Sequence, residues 1–288
     1  MAVSDLTRRV AVAAVGIPVG VALIYVGGIP LAVVAALLAL LGTLEVYGLA
    51  RARGWEPFPW LGGPAAVLVV LSVEAVGTME AWAPWGVALL VGLTLAALGA
   101  AVFWRGPEGA PLLAAGITVM GVAYAAVPLA LVLLLRTFPG VEGRTMAWAG
   151  AYLAMLPLVV TWLGDSAAYF SGKHLGRRKL IPSVSPKKTV EGAIGGLLGS
   201  TLGALAFAAL FLGPGSPTVL PLLWAGVLGL TIGVVAPVGD LAESVMKREA
   251  GVKDSGALLP GHGGVLDRFD GIYFTVPLTY AFLLLVLT

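Results

Sequence analysis

Nine apolar stretches occupy most of this 288-residue chain. Each is close to the roughly 20 residues that a helix needs to cross the hydrocarbon core of a bilayer. They run about Val10–Val26, Pro30–Leu49, Trp60–Val76, Trp82–Trp104, Pro111–Leu135, Met146–Gly164, Val190–Leu212, Val219–Val238 and Ile272–Leu287. Runs of this kind restrict the fold sharply, because a helix in lipid satisfies its own backbone hydrogen bonds and an irregular segment does not. The expected fold is all-α: a polytopic integral membrane protein of about nine transmembrane helices. Composition agrees, with 11% charged residues against about 25% in a soluble domain. Gly27-Gly28-Ile29-Pro30, Pro57-Phe58-Pro59 and Gly213-Pro214-Gly215 punctuate the connections. Trp60, Trp82, Trp104 and Trp148 fall at expected span ends, as residues of an aromatic belt do.

The basic residues set the orientation. With nine spans, fifteen of the 17 Lys and Arg fall on one side of the membrane, and only Arg136 and Arg144 on the other. The positive-inside rule then places the N-terminus and the charged loops in the cytoplasm and the C-terminus outside. Arg8-Arg9 ahead of an apolar run also suits a signal peptide, but the run is long and no cleavage site follows it. It is therefore read as the first span.

The polar residues divide the chain into two unlike parts. Residues 1–145 have short loops with little chemistry and read as a scaffold. Residues 146–288 carry two long cytoplasmic segments, about 165–191 and 237–271, and read as the catalytic region. No internal repeat of the transporter kind is evident. There is no cysteine, and His174 and His262 are the only histidines. Any metal here is therefore expected to be a hard cation held by carboxylates.

The first polar segment opens with Asp165 and gathers six basic residues between Lys173 and Lys188, and Ser183, Ser185 and Thr189 add hydroxyls. Ser185-Pro186, Thr189 and Glu191 read as a helix start leading into the seventh span. A basic loop at a helix N-terminus binds phosphates well, since free backbone N–H groups already favour anions. The plainer reading is an anchor on anionic lipid headgroups. On charge alone the anchor is the better reading; the Gly, Ser and Pro residues between the charges narrow the difference, because an anchor does not need them, and both readings stay open.

The second segment begins at Pro237-Val238-Gly239-Asp240. If the eighth helix continues to Arg248, then Asp240, Glu243, Ser244 and Lys247 share one face. Asp267 and Asp270 lie three apart, so a helical turn aims both the same way. Asp240 with this pair makes a candidate three-carboxylate cation site. Gly261-His262-Gly263-Gly264 between them is backbone that a ligand can approach closely. Surface ion pairing is the plainer reading, but charges beside hydrocarbon are costly and are usually kept for function. Glu45, late in the second span, is expected near the cytoplasmic boundary and paired with Arg51 or Arg53. Gly192, Gly196 and Ser200, and Gly195, Gly199 and Gly203, form two small-residue rows for close helix packing, within the chain or in a homodimer.

Several chemistries are excluded. The chain has no GxxxxGK[ST], no HExxH and no G-x-S-x-G elbow with a downstream catalytic His. Nucleic acid is not an expected partner, because the basic loops are short, membrane-tethered and without interleaved aromatics.

Ser244, Lys247-Arg248, Lys253-Asp254, His262-Gly263-Gly264, Asp267-Arg268 and Asp270 together resemble the signature of phosphatidate cytidylyltransferases, or CDP-diacylglycerol synthases. Asp165, Ala168-Tyr169-Phe170, Gly172-Lys173, Gly176-Arg177, Ser185-Pro186, Lys188-Thr189 and Glu191-Gly192 resemble a second stretch of that family. The likeness is strong over 161–273; toward the N-terminus it is one of hydropathy alone. It implies the reaction of CTP with phosphatidate to give CDP-diacylglycerol and pyrophosphate, at a bacterial cytoplasmic (inner) membrane with the active site facing the cytoplasm. It implies Mg²⁺ on Asp240, Asp267 and Asp270, with room for a second cation. Lys188, Lys247, Arg248 and Arg268 would then neutralise the triphosphate, and His262 would position phosphate. Asp165 would order the basic loop or join the metal. Lys173, Ser185, Thr189, Ser244, Lys253, Asp254, Gly263 and Gly264 complete the expected substrate contacts. Two other readings are a CTP-dependent polyprenol or lipid kinase, which would release CDP, and an ion-coupled transporter. The transporter is disfavoured because the charges cluster at one membrane face.

Overall fold

The computed structural model of the chain describes residues 5–138, 147–216, 218–256 and 263–287. Nine helices follow one another among these residues: α1 (Asp5–Val26), α2 (Gly28–Ala52), α3 (Pro59–Val76), α4 (Met79–Trp104), α5 (Pro111–Arg136), α6 (Ala147–Leu175), α7 (Val190–Phe211), α8 (Leu222–Glu249) and α9 (Leu266–Leu287). Eight of them, α2 to α9, are long and apolar enough to cross a membrane. The protein is an all-α integral membrane protein. Arg144 and His262 lie outside the described residues.

Three helices run well past their apolar stretches. The sixth span, expected to end at Gly164, continues to Leu175, and the eighth, expected to end at Val238, continues to Glu249. The ninth begins at Leu266 rather than Ile272. Hydropathy marks only the hydrocarbon-compatible part of a helix, whereas the backbone ladder carries on into polar surroundings. These extensions bring the charged residues onto helices. Between α6 and α7 lies a short antiparallel hairpin of β1 (Lys179–Ile181) and β2 (Ser185–Thr189), which pairs Lys179 with Thr189 and Ile181 with Ser185. Ser185-Pro186 is therefore strand, not helix start. The helix begins at Val190, and Thr189 is its N-cap, with Oγ1 accepting from the Gly192 amide at 3.1 Å.

The chain forms two compact units. One comprises Met1–Leu134 with Met246–Phe269, and the other Leu135–Val245 with Asp270–Thr288. The second polar segment is thus divided, and most of it belongs with the N-terminal helices. In the first unit, α2 packs on α3 and α3 on α4. Tyr47 is fully buried, and its hydroxyl donates to the Thr118 carbonyl at 2.6 Å. Gly62 and Gly121 make room for its ring, since a Cβ on either would strike it. The Phe58 amide donates to Thr118 Oγ1 at 2.8 Å, which fixes the turn between α2 and α3. Trp82, expected in the aromatic belt, is instead buried, and its Nε1 donates to Ser72 Oγ at 2.9 Å. Trp60, Trp104 and Trp148 are exposed, as a belt requires.

In the second unit the dominant packing is α6 against α7. Small residues permit it: a Cβ on Gly164 would strike Ser200, one on Gly195 would strike Ser171, and one on Gly199 would strike the Ala167 methyl. The two rows seen in the sequence therefore pack within the chain. Gly199→Val is expected to cost on the order of 1–3 kcal/mol through overpacking. The exposed neighbour Leu198→Val serves as the control. Thermal unfolding in detergent reads the effect, and equal midpoints for the two variants would contradict this close packing. Thr161 and Thr275 hydrogen-bond at 3.0 Å between α6 and α9. A Cβ on Gly239 would lie 3.0 Å from the Phe274 ring, so α8 also runs close to α9. These approaches set the backbone at Asp240 and Asp270.

Candidate active site

The charged groups fall into two sets, one in each unit. In the second unit, Lys188 follows the hairpin turn and extends Nζ to Asp240 Oδ2 at 2.7 Å and to the Pro237 carbonyl at 3.4 Å. Ser244, one turn further along α8, donates its hydroxyl to Asp240 Oδ1 at 3.3 Å. That contact confirms that Asp240 and Ser244 share a helix face. Asp270 Oδ1 accepts from the Gly271 amide at 2.7 Å. Asp165 and Asp270 lie close enough to Asp240, and to each other, for their charges to interact, and Lys188 offsets that repulsion for both. Three carboxylates from α6, α8 and α9 thus lie within one another's electrostatic reach, and Lys188 contacts one of them, Asp240. Such a group gains from a further cation.

The hairpin beside this set is fixed by Glu191. Its carboxylate accepts the Arg177 amide at 3.0 Å and the Arg178 amide at 3.2 Å. Lys173 and Arg178 are exposed, and Lys173 Nζ stands 5.9 Å from the centre of the Tyr169 ring. Ser185 is half-buried in β2, and Thr189 is occupied as the cap of α7.

In the first unit, Lys247 and Asp267 form a nearly buried ion pair, with Nζ to Oδ1 at 2.6 Å and side-chain exposures of 11% and 9%. Asp267 Oδ2 accepts from the Ser255 amide at 2.9 Å, the Ser255 hydroxyl at 2.9 Å and the Gly264 amide at 2.8 Å. Gly263, with φ 77°, turns the chain there, and a Cβ on it would approach Asp267. Arg248, Lys253, Asp254 and Arg268 are exposed. Arg248 Nη1 reaches the Val252 carbonyl at 3.1 Å.

Sequence spacing groups Asp240, Asp267 and Asp270 as one cation site. Within the second unit Asp240 and Asp270 associate with Asp165 and Lys188, and within the first Asp267 holds Lys247 and the loop before α9. Among the described residues, no three His, Cys, Asp or Glu side chains gather tightly enough to hold a metal ion by themselves. Mg²⁺ does not require that. It keeps several waters and is usually bound by one or two carboxylates plus the phosphates of a substrate. The hard oxygen donors of Asp240 and Asp270 fit it.

Sequence reasoning missed the role of Glu45. Arg51 pairs with Glu56 at 3.7 Å. Glu45 instead accepts from Ser255 Oγ at 2.9 Å, the Val265 amide at 2.8 Å and the Leu266 amide at 2.9 Å. These partners lie 210 to 221 positions away, beyond the reach of any local pattern. The available signal was a carboxylate deep in an apolar run, which calls for a partner.

Basic residues and carboxylates on apolar helices, with a basic hairpin between α6 and α7, are chemistry suited to phosphorylated substrates in an integral membrane protein. Known proteins point the same way. The chain belongs to the cytidylyltransferase family, which it matches over residues 7–286. It is 33% identical to a phosphatidate cytidylyltransferase of Synechocystis, over 98% of this chain and 97% of that one. A Brucella suis protein of the same name is 50% identical over 43% of each chain. Another, from Bacillus subtilis, is 43% identical over 50% of this chain and 52% of its own.

Proposed function

We propose that this protein is a phosphatidate cytidylyltransferase, which transfers CMP from CTP to phosphatidate and releases pyrophosphate. The observation that carries the reading is the group of Asp165, Asp240 and Asp270 around Lys188, in a chain that matches its family from end to end. In the reaction an oxygen of the phosphatidate phosphate attacks the α-phosphorus of CTP. The bond from that phosphorus to its bridging oxygen breaks, and pyrophosphate leaves with the electron pair. The nucleophile is already anionic, so no strong general base is needed.

Asp240 and Asp270 are the proposed holders of Mg²⁺, with Asp165 beside them. When bound, Mg²⁺ would draw the reacting phosphates together and neutralise charge on the leaving group. Lys188 holds Asp240 in place and supplies positive charge for phosphate oxygens. Arg248 and Arg268 are exposed, as contact with an incoming triphosphate requires. The basic hairpin would receive phosphate from solution. The Lys247–Asp267 pair positions the turn before α9, and His262 is a proposed phosphate contact. An orientation with the charged loops in the bacterial cytoplasm suits both substrates, since CTP is soluble and phosphatidate carries its phosphate at headgroup depth.

The test uses purified protein in detergent micelles with phosphatidate, Mg²⁺ and CTP labelled at the α-phosphate. Label entering the lipid phase, with equimolar pyrophosphate, is the expected result. CDP released with no label in lipid would make the protein a lipid kinase and overturn the assignment.

A further inference from the structure

A carboxylate within an apolar helix is costly unless something receives it. Glu45 sits seven residues before the end of α2, and what receives it is the start of another helix. The first turn of any α-helix leaves backbone N–H groups without partners. These are normally served by a side chain just ahead of the helix. Here the Val265 amide donates to Glu45 Oε1 at 2.8 Å and the Leu266 amide to Glu45 Oε2 at 2.9 Å. Glu45 thus caps α9 from a different helix, 221 positions away. Its negative charge also suits the positive end of the α9 dipole.

The contact continues into the charged loop. Ser255 Oγ lies 2.9 Å from Glu45 Oε2 and 2.9 Å from Asp267 Oδ2. A hydroxyl carries one hydrogen, so Ser255 donates to one carboxylate at a time while standing between both. The glycines of the loop are shaped to this arrangement. A Cβ on Gly264 would strike Glu45 Oε2 and Ser255 Oγ, and one on Gly256 would come 2.7 Å from Glu45 Oε1. Gly256 and Gly264 therefore leave the space that Glu45 enters.

We infer that Glu45 is a positioning residue for the reaction: by capping α9 and bridging through Ser255 it fixes Asp267 and the Gly263–Leu266 turn. The catalytic part of this inference rests on the proposed activity; the capping part does not. The N-terminal helices then take part in catalysis rather than serving only as scaffold.

Glu45→Gln is the discriminating variant, because an amide has one acceptor oxygen for two backbone donors and turns N–H toward one of them. Tyr47→Phe is the control; it removes a buried hydrogen bond of the same helix to Thr118 without touching the loop. Hydrogen–deuterium exchange of the peptide covering 263–268 is expected to quicken about ten-fold or more in Glu45→Gln, as loss of a charge-assisted bond implies. In Tyr47→Phe it should stay as in wild type. The value of kcat/KM for CTP should fall by a similar about ten-fold in Glu45→Gln, and Glu45→Asp, which keeps both acceptor oxygens, should recover part of it. Unchanged exchange in Glu45→Gln overturns the cap. Faster exchange with unchanged kcat/KM overturns the catalytic role. An equal loss of activity in Tyr47→Phe would show that Glu45 acts through stability alone. Wild-type protein that makes no CDP-diacylglycerol would remove the activity assignment and with it the catalytic role, while the exchange result would still judge the cap.

Discussion

Asp240→Asn will lower CDP-diacylglycerol formation by more than about a hundred-fold, the scale of losing a key electrostatic group in a polar active site. The substitution is nearly isosteric. Its amide oxygen can still accept from Ser244, so the α8 face it shares with that residue is preserved. What it removes is a full negative charge 2.7 Å from Lys188. Lys188 would keep its Pro237 carbonyl contact but lose its ion-pair partner, and the set loses one of the two carboxylates proposed for Mg²⁺. Steady-state rates over a Mg²⁺ titration, on protein shown by thermal unfolding to be folded, measure both effects. A variant that turns over near the wild-type rate would remove Asp240 from the mechanism.

Lys247→Met is expected to act first on stability. It leaves Asp267 in a nearly buried position without its ion-pair partner. Breaking one side of a buried pair costs about 3–5 kcal/mol, whereas replacing both sides is often close to neutral. The double variant Lys247→Met/Asp267→Asn should therefore unfold at a higher temperature than Lys247→Met alone, although it has lost more native groups. The asparagine can keep one acceptor for the Ser255 and Gly264 amides. Activity should not return with stability, since the loop's ionic fastening is gone. Unfolding midpoints in detergent for the two variants decide this. A double variant less stable than the single one would show that the pair does not govern stability at this position.

The apolar architecture was legible because the bilayer imposes it. Helix length and hydropathy identify α2 to α5 and α7 to within a few residues, and one assumption of helical continuation correctly placed Asp240 and Ser244 on one face of α8. The ends of α6, α8 and α9 were less legible, because hydropathy falls where charge appears while the helix itself continues. The hairpin was missed for a related reason. Its strands are three and five residues long and strongly basic, with none of the apolar alternation that announces a strand. At the site, the partners of each charged residue were not legible. Asp267 and Asp270 are three apart on one helix, yet their partners differ: Lys247, Ser255 and Gly264 for one, the Asp165 and Asp240 charges for the other. Spacing along a helix shows which residues share a face, but not what that face meets. Glu45 makes the same point at long range.

The α9 cap also constrains the order in which this protein can be made. A chain synthesised from its N-terminus inserts α2 early, with Glu45 in place and the amides it serves still some 220 residues from being translated. The first unit is not finished when its own helices are in the membrane. It closes only when Met246–Phe269 arrives, after nearly all of the second unit has been produced. Until then the Glu45 carboxylate has to be carried by water or by temporary partners. Nascent chains halted before residue 265 should therefore expose a half-built first unit to quality-control proteases, and those extended through α9 should resist them.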